Sequence, residues 1–377
     1  MNVDQQGKKL APDSIDAKVL EKSTYKVALA GFGLAGSLFH APFIRRTKGL
    51  ELAAIITTDS QRAAQAQSEY PGVNIFSKAE QVFDSASDYD LLVIAAPNKF
   101  HYPLCTRALN AGLSVVVDKP MATSSHQIQE LIDLSCKQKK LLSVFHNRRW
   151  DADFLTMQKI IADNSLGKLT RFESRYERFR PAPKKEAWRE SADVADAGGL
   201  LFDLGSHLID QVCVLFGRPD SVYAEVRTLR PTAQVDDDVF VALNYSSQMV
   251  AHIWASSVAS SPAPRFRLSG LKGSFEKFGL DPQEDALRAG MRPDAADWGK
   301  ELERLWGHLY LGTNGTVTET RVASERGSYD SFYSNIAAAL AGTTPLAVKA
   351  EEALLTLKVI EAAFASSRNG RVEQIAN

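Results

Sequence analysis

The stretch Tyr25-Lys-Val-Ala-Leu-Ala-Gly-Phe-Gly-Leu-Ala-Gly36 runs an apolar strand directly into three glycines at G-x-G-x-x-G spacing. Gly31 permits a tight turn, Gly33 leaves room for the backbone to approach a pyrophosphate, and Gly36 lets the next helix pack on the strand. That helix presents free N–H groups and the positive end of its dipole to phosphate. With Phe32, Leu34 and Ala35 between the glycines, the hexamer is read as a dinucleotide-binding turn. Glycine-rich turns also occur with no ligand, so the surroundings decide.

The surroundings alternate strand and helix. Leu50–Thr57 reads as a second strand and Ser60–Tyr70 as an Ala- and Gln-rich helix. Leu91–Ala96 is a bare apolar run, as in a parallel strand covered on both faces. Pro97 and Asn98 break it, and a helix carrying His101, Leu104, Cys105, Ala108 and Leu109 on one face stops at Gly112. Val115–Val117 gives another strand, Ser124 caps a helix burying Ile128, Leu131 and Ile132, and Leu141–Phe145 closes the series. Such alternation predicts an α/β fold with a doubly wound parallel sheet, the Rossmann arrangement.

A chain of 377 residues can hold two cores. With 44 Lys/Arg against 45 Asp/Glu, it carries no basic excess for nucleic acid or an anionic membrane. No apolar stretch is expected to reach the roughly 20 residues of a membrane span. Residues 1–24 are polar and of mixed charge, unlike a secretory signal, and are taken as a loose extension. Cys105, Cys136 and Cys213 are odd in number and set in apolar helical patterns, which suits buried free thiols in a reducing cytoplasm.

Beyond Phe145 strands dominate: Lys168–Arg180, Ser221–Leu229, Asp238–Tyr245, Gln248–Ser257 and Arg265–Ser269, with period-two alternation plainest at Val222/Ala224/Val226 and Val239/Val241/Leu243. An antiparallel sheet with one face on a core fits, closed by helices over Tyr329–Ala341 and Lys349–Ser367. The expected division is residues 25–146 for dinucleotide and 147–377 for substrate and oligomerisation, although a late helix could return to the first part.

Two segments carry the candidate chemistry. Asp118-Lys119-Pro120 follows a strand, and ligands of open parallel sheets bind outside the strands' carboxyl ends, which aims Lys119 at the cofactor crevice. A solvated turn lysine explains that position as well. As a helix, Gly198–Gly217 stripes Leu201, Leu204, Leu208, Val212 and Leu215 on one face and Asp203, His207 and Asp210 on the other. A carboxylate one turn before an imidazole can orient it for acid–base work. An ordinary polar face is the plainer alternative. A metal site is not expected, since neither H-E-x-x-H nor a cysteine pair is present.

Taken together, the Gly31–Gly36 turn, Asp118-Lys119-Pro120 and Asp203-Leu-Gly-Ser-His207 resemble the glucose–fructose oxidoreductase/inositol dehydrogenase (Gfo/Idh/MocA) family from about residue 25 onward. Phe39-His-Ala-Pro42, Ser143–Trp150, Asp203–Gln211 and Lys277–Asp285 look most like its scyllo-inositol dehydrogenase branch. The resemblance implies a Rossmann domain followed by an α/β domain with a large, mostly antiparallel open sheet, whose free face joins subunits into a homodimer or homotetramer. It implies Lys119, Asp203 and His207 as catalytic, with His207 taking the hydroxyl proton, Lys119 stabilising the alkoxide and Asp203 holding substrate and imidazole. Ala96, Pro97, Asn98 and His101 would line the nicotinamide ribose, and Asp118, where the family usually has glutamate, keeps the charge on a shorter arm. Arg178, Arg180, Trp188 and Arg189 would face the substrate, a small polyol or sugar, although a solvated basic face explains that run too. An aldose or keto-sugar dehydrogenase and a dinucleotide-binding regulator remain alternatives.

Cofactor choice turns on Ile55-Ile56-Thr57-Thr58-Asp59-Ser60. An acidic residue ending the second strand reads the ribose hydroxyls of NAD. Alignment puts Thr58 there, with Asp59 beside it and Arg62 one turn on, which leans toward NADP. An inward Asp59 would favour NAD.

Overall fold

The computed structural model describes residues 24–183 and 190–376; the rest of the N-terminal extension, Trp188 and Arg189 lie outside them. Strand β1 (Tyr25–Ala30) runs into a helical stretch containing a π turn at Gly36–His40 and helix α1 (Ala41–Arg46). There follow β2 (Leu50–Ile56), α2 (Ser60–Glu69), β3 (Asn74–Phe76), α3 (Glu80–Phe83), β4 (Leu91–Ile94), α4 (His101–Asn110), β5 (Ser114–Val117), α5 (Ser125–Gln138) and β6 (Leu142–Val144). The six strands form one sheet in the order β3-β2-β1-β4-β5-β6, every pairing parallel. Its reversal point lies between β1 and β4, which places the crevice beside the glycine turn. All four residues of β4 and of β5 are buried, because helices cover both faces. Ser124 does cap α5, its Oγ accepting from Gln127 N at 3.3 Å.

After α6 (Ala152–Ala162) come β7 (Leu169–Glu177), α7 (Ser206–Phe216), β8 (Ser221–Arg227), β9 (Asp238–Asn244), β10 (Val250–Ser256), β11 (Phe266–Gly270), β12 (Gly273–Lys277), α8 (Gln283–Arg288), β13 (Gly307–Thr313), β14 (Thr316–Val322), α9 (Asp330–Leu340), α10 (Ala350–Asn369) and β15 (Glu373–Gln374). The nine strands form a second sheet, β14-β13-β12-β11-β7-β10-β9-β8-β15, antiparallel except where β7 meets β10. Alternate residues of β9 (Val239, Val241, Leu243) and β10 (Ala251, Ile253, Ala255) are buried against the helices. On the other face Phe240 and Trp254 lie 5.1 Å apart, with the Arg175 guanidinium 3.9 Å over the Trp254 ring.

The late helices do return to the first sheet. The Glu361 carboxylate on α10 accepts from Ser125 N and Ser125 Oγ, both at 2.7 Å, and Ser143 Oγ donates to Val348 O at 2.8 Å. Hence α10 packs on α5 as well as on α7 and β8.

Three expectations need correction. Residues 194–216 form a helical run that is long and apolar enough by composition to cross a membrane, although no such stretch was expected. Most of it is buried, and it carries Asp196, Asp203, His207 and Asp210. It is also not one α-helix, since Leu201–Gly205 forms a π turn ahead of α7. Third, only Cys105 is buried; Cys136 is exposed, because α5 turns Ile128, Leu131, Ile132 and Ser135 inward, and Cys213 is intermediate.

Candidate active site

The glycines divide the labour that their spacing suggests. Gly31 sits at φ +103°, and a Cβ there would lie 2.3 Å from Ala95 O; one on Gly36 would lie 2.0 Å from Gly31 O. Both positions exclude a side chain by packing. A Cβ on Gly33 would meet only the tip of Arg62, Nη1 at 3.6 Å, so this residue borders open space on the crevice side. Phe32 turns inward, edge-on to Tyr70 at 6.1 Å, whereas Leu34 is exposed. The turn therefore offers backbone at Gly33, Leu34 and Ala35, which fits a pyrophosphate. Thr58 and Asp59 are exposed at the end of β2. The Asp59 carboxylate caps α2, its Oδ1 accepting from Gln61 N (2.9 Å) and Arg62 N (3.0 Å), and these bonds, the Arg62 N–H foremost, hold its pKa below the ordinary value. Arg62 thus stands over Gly33 while Asp59 faces its own helix.

Beyond β5 the chain passes Asp118 and Lys119 and then the cis Lys119–Pro120 bond. Lys119 Nζ donates to Asp203 Oδ1 at 2.9 Å and to Asp203 O at 2.6 Å, joining the first sheet to the π turn. His207, 6% exposed, stands on the first turn of α7. Burial, then the charges of Lys119 and Arg148, push its pKa well below the ordinary imidazole value. The imidazole is neutral at neutral pH, the form that can accept a proton.

Here the helical reading of Asp203 and His207 is corrected. Asp203 holds Lys119, and His207 Nδ1 has no hydrogen-bond partner. In a π turn the chain bonds i to i+5, so residues four apart lose the stacking they have in an α-helix. Asp203 consequently rotates toward β5. Nor is the face bearing His207 and Asp210 a solvated one: both are buried.

Around these residues stand others to which the sequence assigned no role: His40, His146 and Arg149, which contact Asp118, His207 and Asp210 respectively, and Tyr333, which bonds His40. His40 is buried between Tyr333 OH (2.5 Å, at Nδ1) and Asp118 Oδ1 (3.0 Å, at Nε2). Burial disfavours the Asp118 carboxylate, but His40, together with His101 and Lys119, outweighs it and holds the pKa low. Asp118 is thus tied to His40 from below the crevice. His146 packs edge-on to His207, ring centroids 6.2 Å apart, and lies 3.7 Å from Asp210 Oδ2. Burial pushes the His146 pKa down to about 4. Asp210 is gripped by Arg149 through Nη2–Oδ1 (2.6 Å) and Nε–Oδ2 (2.9 Å). The stretches Phe39–Pro42 and Ser143–Trp150 contained His40, His146 and Arg149, but nothing in the sequence gave these three a role.

Of the segment expected at the ribose, His101 and Asn98 are engaged elsewhere. His101 is fully buried between Pro120 O (2.7 Å) and Ala96 O (2.8 Å), bracing one loop on the other. Asn98 Nδ2 donates to Asp196 O at 2.9 Å. Ala96 and Pro97 stay half-buried at the end of β4, beside the glycine turn. Arg178 is half-buried just past β7, and Arg180 is exposed. Among the described residues no group of three or more His, Cys, Asp or Glu is placed to hold a metal ion.

Comparison with known proteins fits this geometry. Residues 25–146 match the NAD-binding Rossmann fold of an oxidoreductase family, and residues 158–375 match its C-terminal alpha/beta domain. The chain is 37% identical over 344 residues to the oxidoreductase YdgJ of Escherichia coli K12, covering 91% of this chain and 96% of YdgJ. It is 34% identical over 348 residues to the scyllo-inositol 2-dehydrogenase (NADP(+)) IolW of Bacillus subtilis 168, covering 92% and 95%. The solved oxidoreductase yvaA from Bacillus subtilis superposes with a TM-score of 0.89 at 33% identity, over 94% of this chain and 99% of the other. By these matches, over both halves, the chain belongs to the Gfo/Idh/MocA oxidoreductase family.

Proposed function

We propose that this chain is a dehydrogenase that moves a hydride between NADP and a hydroxyl-bearing carbon of a cyclic polyol or sugar of the scyllo-inositol kind. The observation that carries this reading is the Lys119–Asp203 pair, at 2.9 Å, at the carboxyl end of β5 on the same buried stretch as the neutral His207. When bound, the nicotinamide supplies the hydride acceptor at its C4. His207 takes the hydroxyl proton as the C–H hydride departs and the C=O bond forms. The Lys119 ammonium faces the oxygen and stabilises its negative charge. Asp203 aims that ammonium and lowers its freedom, rather than orienting the imidazole.

Phosphate on the ribose is favoured by Arg62, whose guanidinium lies over Gly33, while Asp59 spends its carboxylate on the α2 N-terminus. The name of IolW as an NADP(+) enzyme agrees with this preference. The aromatic outer face around Phe240 and Trp254 suits a homodimer or homotetramer built through the second sheet. A monomeric mass by light scattering at micromolar concentration would contradict that assembly.

The deciding experiment follows reduced-nicotinamide absorbance across a panel of inositols and aldoses. Lys119→Met and His207→Ala should each lower turnover by about 10²–10⁴-fold with dinucleotide binding retained. Near-normal turnover in either variant sinks the assignment. Tight dinucleotide binding with no turnover of any member points to a sensor instead.

A further inference from the structure

Two arginines at the mouth of the site stand apart from the ion pairs around them. Five other arginines, at most 16% exposed, each face a carboxylate within 3.2 Å, as Arg149 faces Asp210 and Arg230 faces Asp237 (2.9 Å) and Glu190 (2.8 Å). Arg178 departs from this pattern. Among the described residues no carboxylate lies within ion-pairing distance of Arg178 or Arg180, and Arg178 Nε is buried with no hydrogen-bond partner. That Nε is a buried donor without an acceptor, on a half-buried side chain with no carboxylate beside it, and an anionic ligand would complete it.

The backbone brings this cation to the substrate side of the crevice. Along β7 the inward positions are Phe172, Ser174 and Tyr176, all buried, and Arg178 continues that alternation one step beyond the strand. Arg178 N donates to Ser256 O (3.0 Å) and Arg180 N to Ser257 O (2.7 Å). Ser257 N in turn bonds Asp237 O at 2.9 Å. The adjoining Asp236 holds the start of the π turn, accepting from Leu200 N (3.0 Å) at its carbonyl and from Leu201 N (2.7 Å) at its carboxylate. That turn carries Asp203. One sheet end therefore fixes Arg178 and the Lys119–Asp203 pair together. Burial, and then Arg180, push the Arg178 pKa down, with Asp203 opposing the shift. Asp203 is already engaged by Lys119, and Glu190 and Asp237 by Arg230, and none of these carboxylates is within ion-pairing distance of Arg178.

We propose that Arg178 and Arg180 form an anion subsite beside Lys119, and that the substrate is a polyol or sugar carrying a carboxylate or a phosphoester group. Arg178 supplies a planar fork that matches either group, and Arg180 adds charge at the mouth. This rests on the oxidoreductase reading above, and it replaces a neutral substrate of the scyllo-inositol kind with an acidic polyol or sugar. A neutral inositol would leave the fork without a partner.

The test uses the full-length protein with NADP+ and matched sets: glucose, glucuronate and glucose 6-phosphate, then myo-inositol and its monophosphate. An acidic member should exceed its neutral counterpart in kcat/KM by at least about tenfold, the size expected of one charge-assisted contact. Whether the carboxylate or the phosphoester wins identifies the group. In Arg178→Gln that acidic-to-neutral ratio should fall about tenfold or more, through KM, with Arg178→Lys between the two. Calorimetric titration of the same compounds onto the NADPH-loaded protein reads the subsite without turnover. Tighter binding of the acid, lost in Arg178→Gln, supports it. Equal affinity for acid and neutral compounds overturns it. So does an Arg178→Gln effect that is uniform over all substrates, or one confined to the KM for NADP+. Good turnover of neutral sugars alone would retain the dehydrogenase and remove the subsite; acid binding without turnover of any sugar would do the reverse.

Discussion

Replacing Arg149 by Met should destabilise the whole chain, because this one guanidinium fastens three elements. It meets both oxygens of Asp210 on α7 (2.6 and 2.9 Å), Glu352 on α10 (3.0 Å) and Ala347 O (3.2 Å). Methionine keeps the apolar stem and removes the charge. Asp210, 2% exposed, would then remain buried with only the neutral His146 at 3.7 Å. Breaking a buried pair from one side costs about 3–5 kcal/mol. An unfolding entropy of about 2.1 cal/mol/K per residue, taken over 377 residues, gives about 0.8 kcal/mol/K, so Tm should fall by about 4–6 °C. Scanning calorimetry at pH 7.5 measures it. Adding Asp210→Asn should recover stability, since the uncompensated carboxylate is then gone. The defect should also shrink as the pH falls toward 5, where Asp210, lacking Arg149, takes up a proton. A Tm drop below about 1 °C, or a double variant less stable than Arg149→Met, would refute the reasoning.

The glycine turn makes a paired prediction: Gly36→Ala, whose Cβ would sit 2.0 Å from Gly31 O, should lower Tm and abolish dinucleotide binding. Gly33→Ala, with 3.6 Å to the flexible Arg62, should leave Tm within about 1 °C yet raise the dinucleotide Kd about tenfold, measured by fluorescence titration. The low pKa of His207 means that the proton-accepting form survives below pH 6.5. The kcat/KM for alcohol oxidation should therefore stay level as the pH falls from 7 to 6 and decline only lower; a limb with an apparent pKa near 6.5 would contradict a neutral buried base. Arg62→Ala should cut the ratio of kcat/KM for NADP+ over NAD+ about tenfold, and an unchanged ratio would show that another residue reads the phosphate.

Much of the first sheet was legible because five of its strands, three to seven residues of largely apolar composition, differ sharply from the helices between them. Strand β3 was not, since Asn74–Phe76 is three residues at an edge with one face half-covered. In the second sheet β13 and β14 escaped for a different reason. Strand β14 is almost wholly exposed, and β13 offers only the short alternation of Leu309 and Leu311, yet Asn314-Gly315 between them, at φ 51° and 80°, is a hairpin signal that was present to be read. Lys119, Asp203 and His207 were found by motif; Lys119 Nζ bonds Asp203 Oδ1 at 2.9 Å and its charge bears on the buried His207. The partner of Asp203 was misread because a π turn leaves no trace in the period of its apolar residues. The His40–Asp118–Tyr333 contact could not be read locally, its members lying 78 and 293 residues from His40.

The packing of α10 on α5 gives synthesis of this chain a timing problem. Strand β6 ends at Val144, but α10 is complete only at Asn369, about 220 residues later. At about 5–20 residues per second the ribosome needs roughly 10–45 s for that length. Until then Ile128 on α5 and Met121 before it lack Ala353, Leu357 and Ile360, which face them across the finished fold. The nascent dinucleotide-binding half thus waits with an apolar flank open to solvent, and exposed apolar surface of this kind is where aggregation starts.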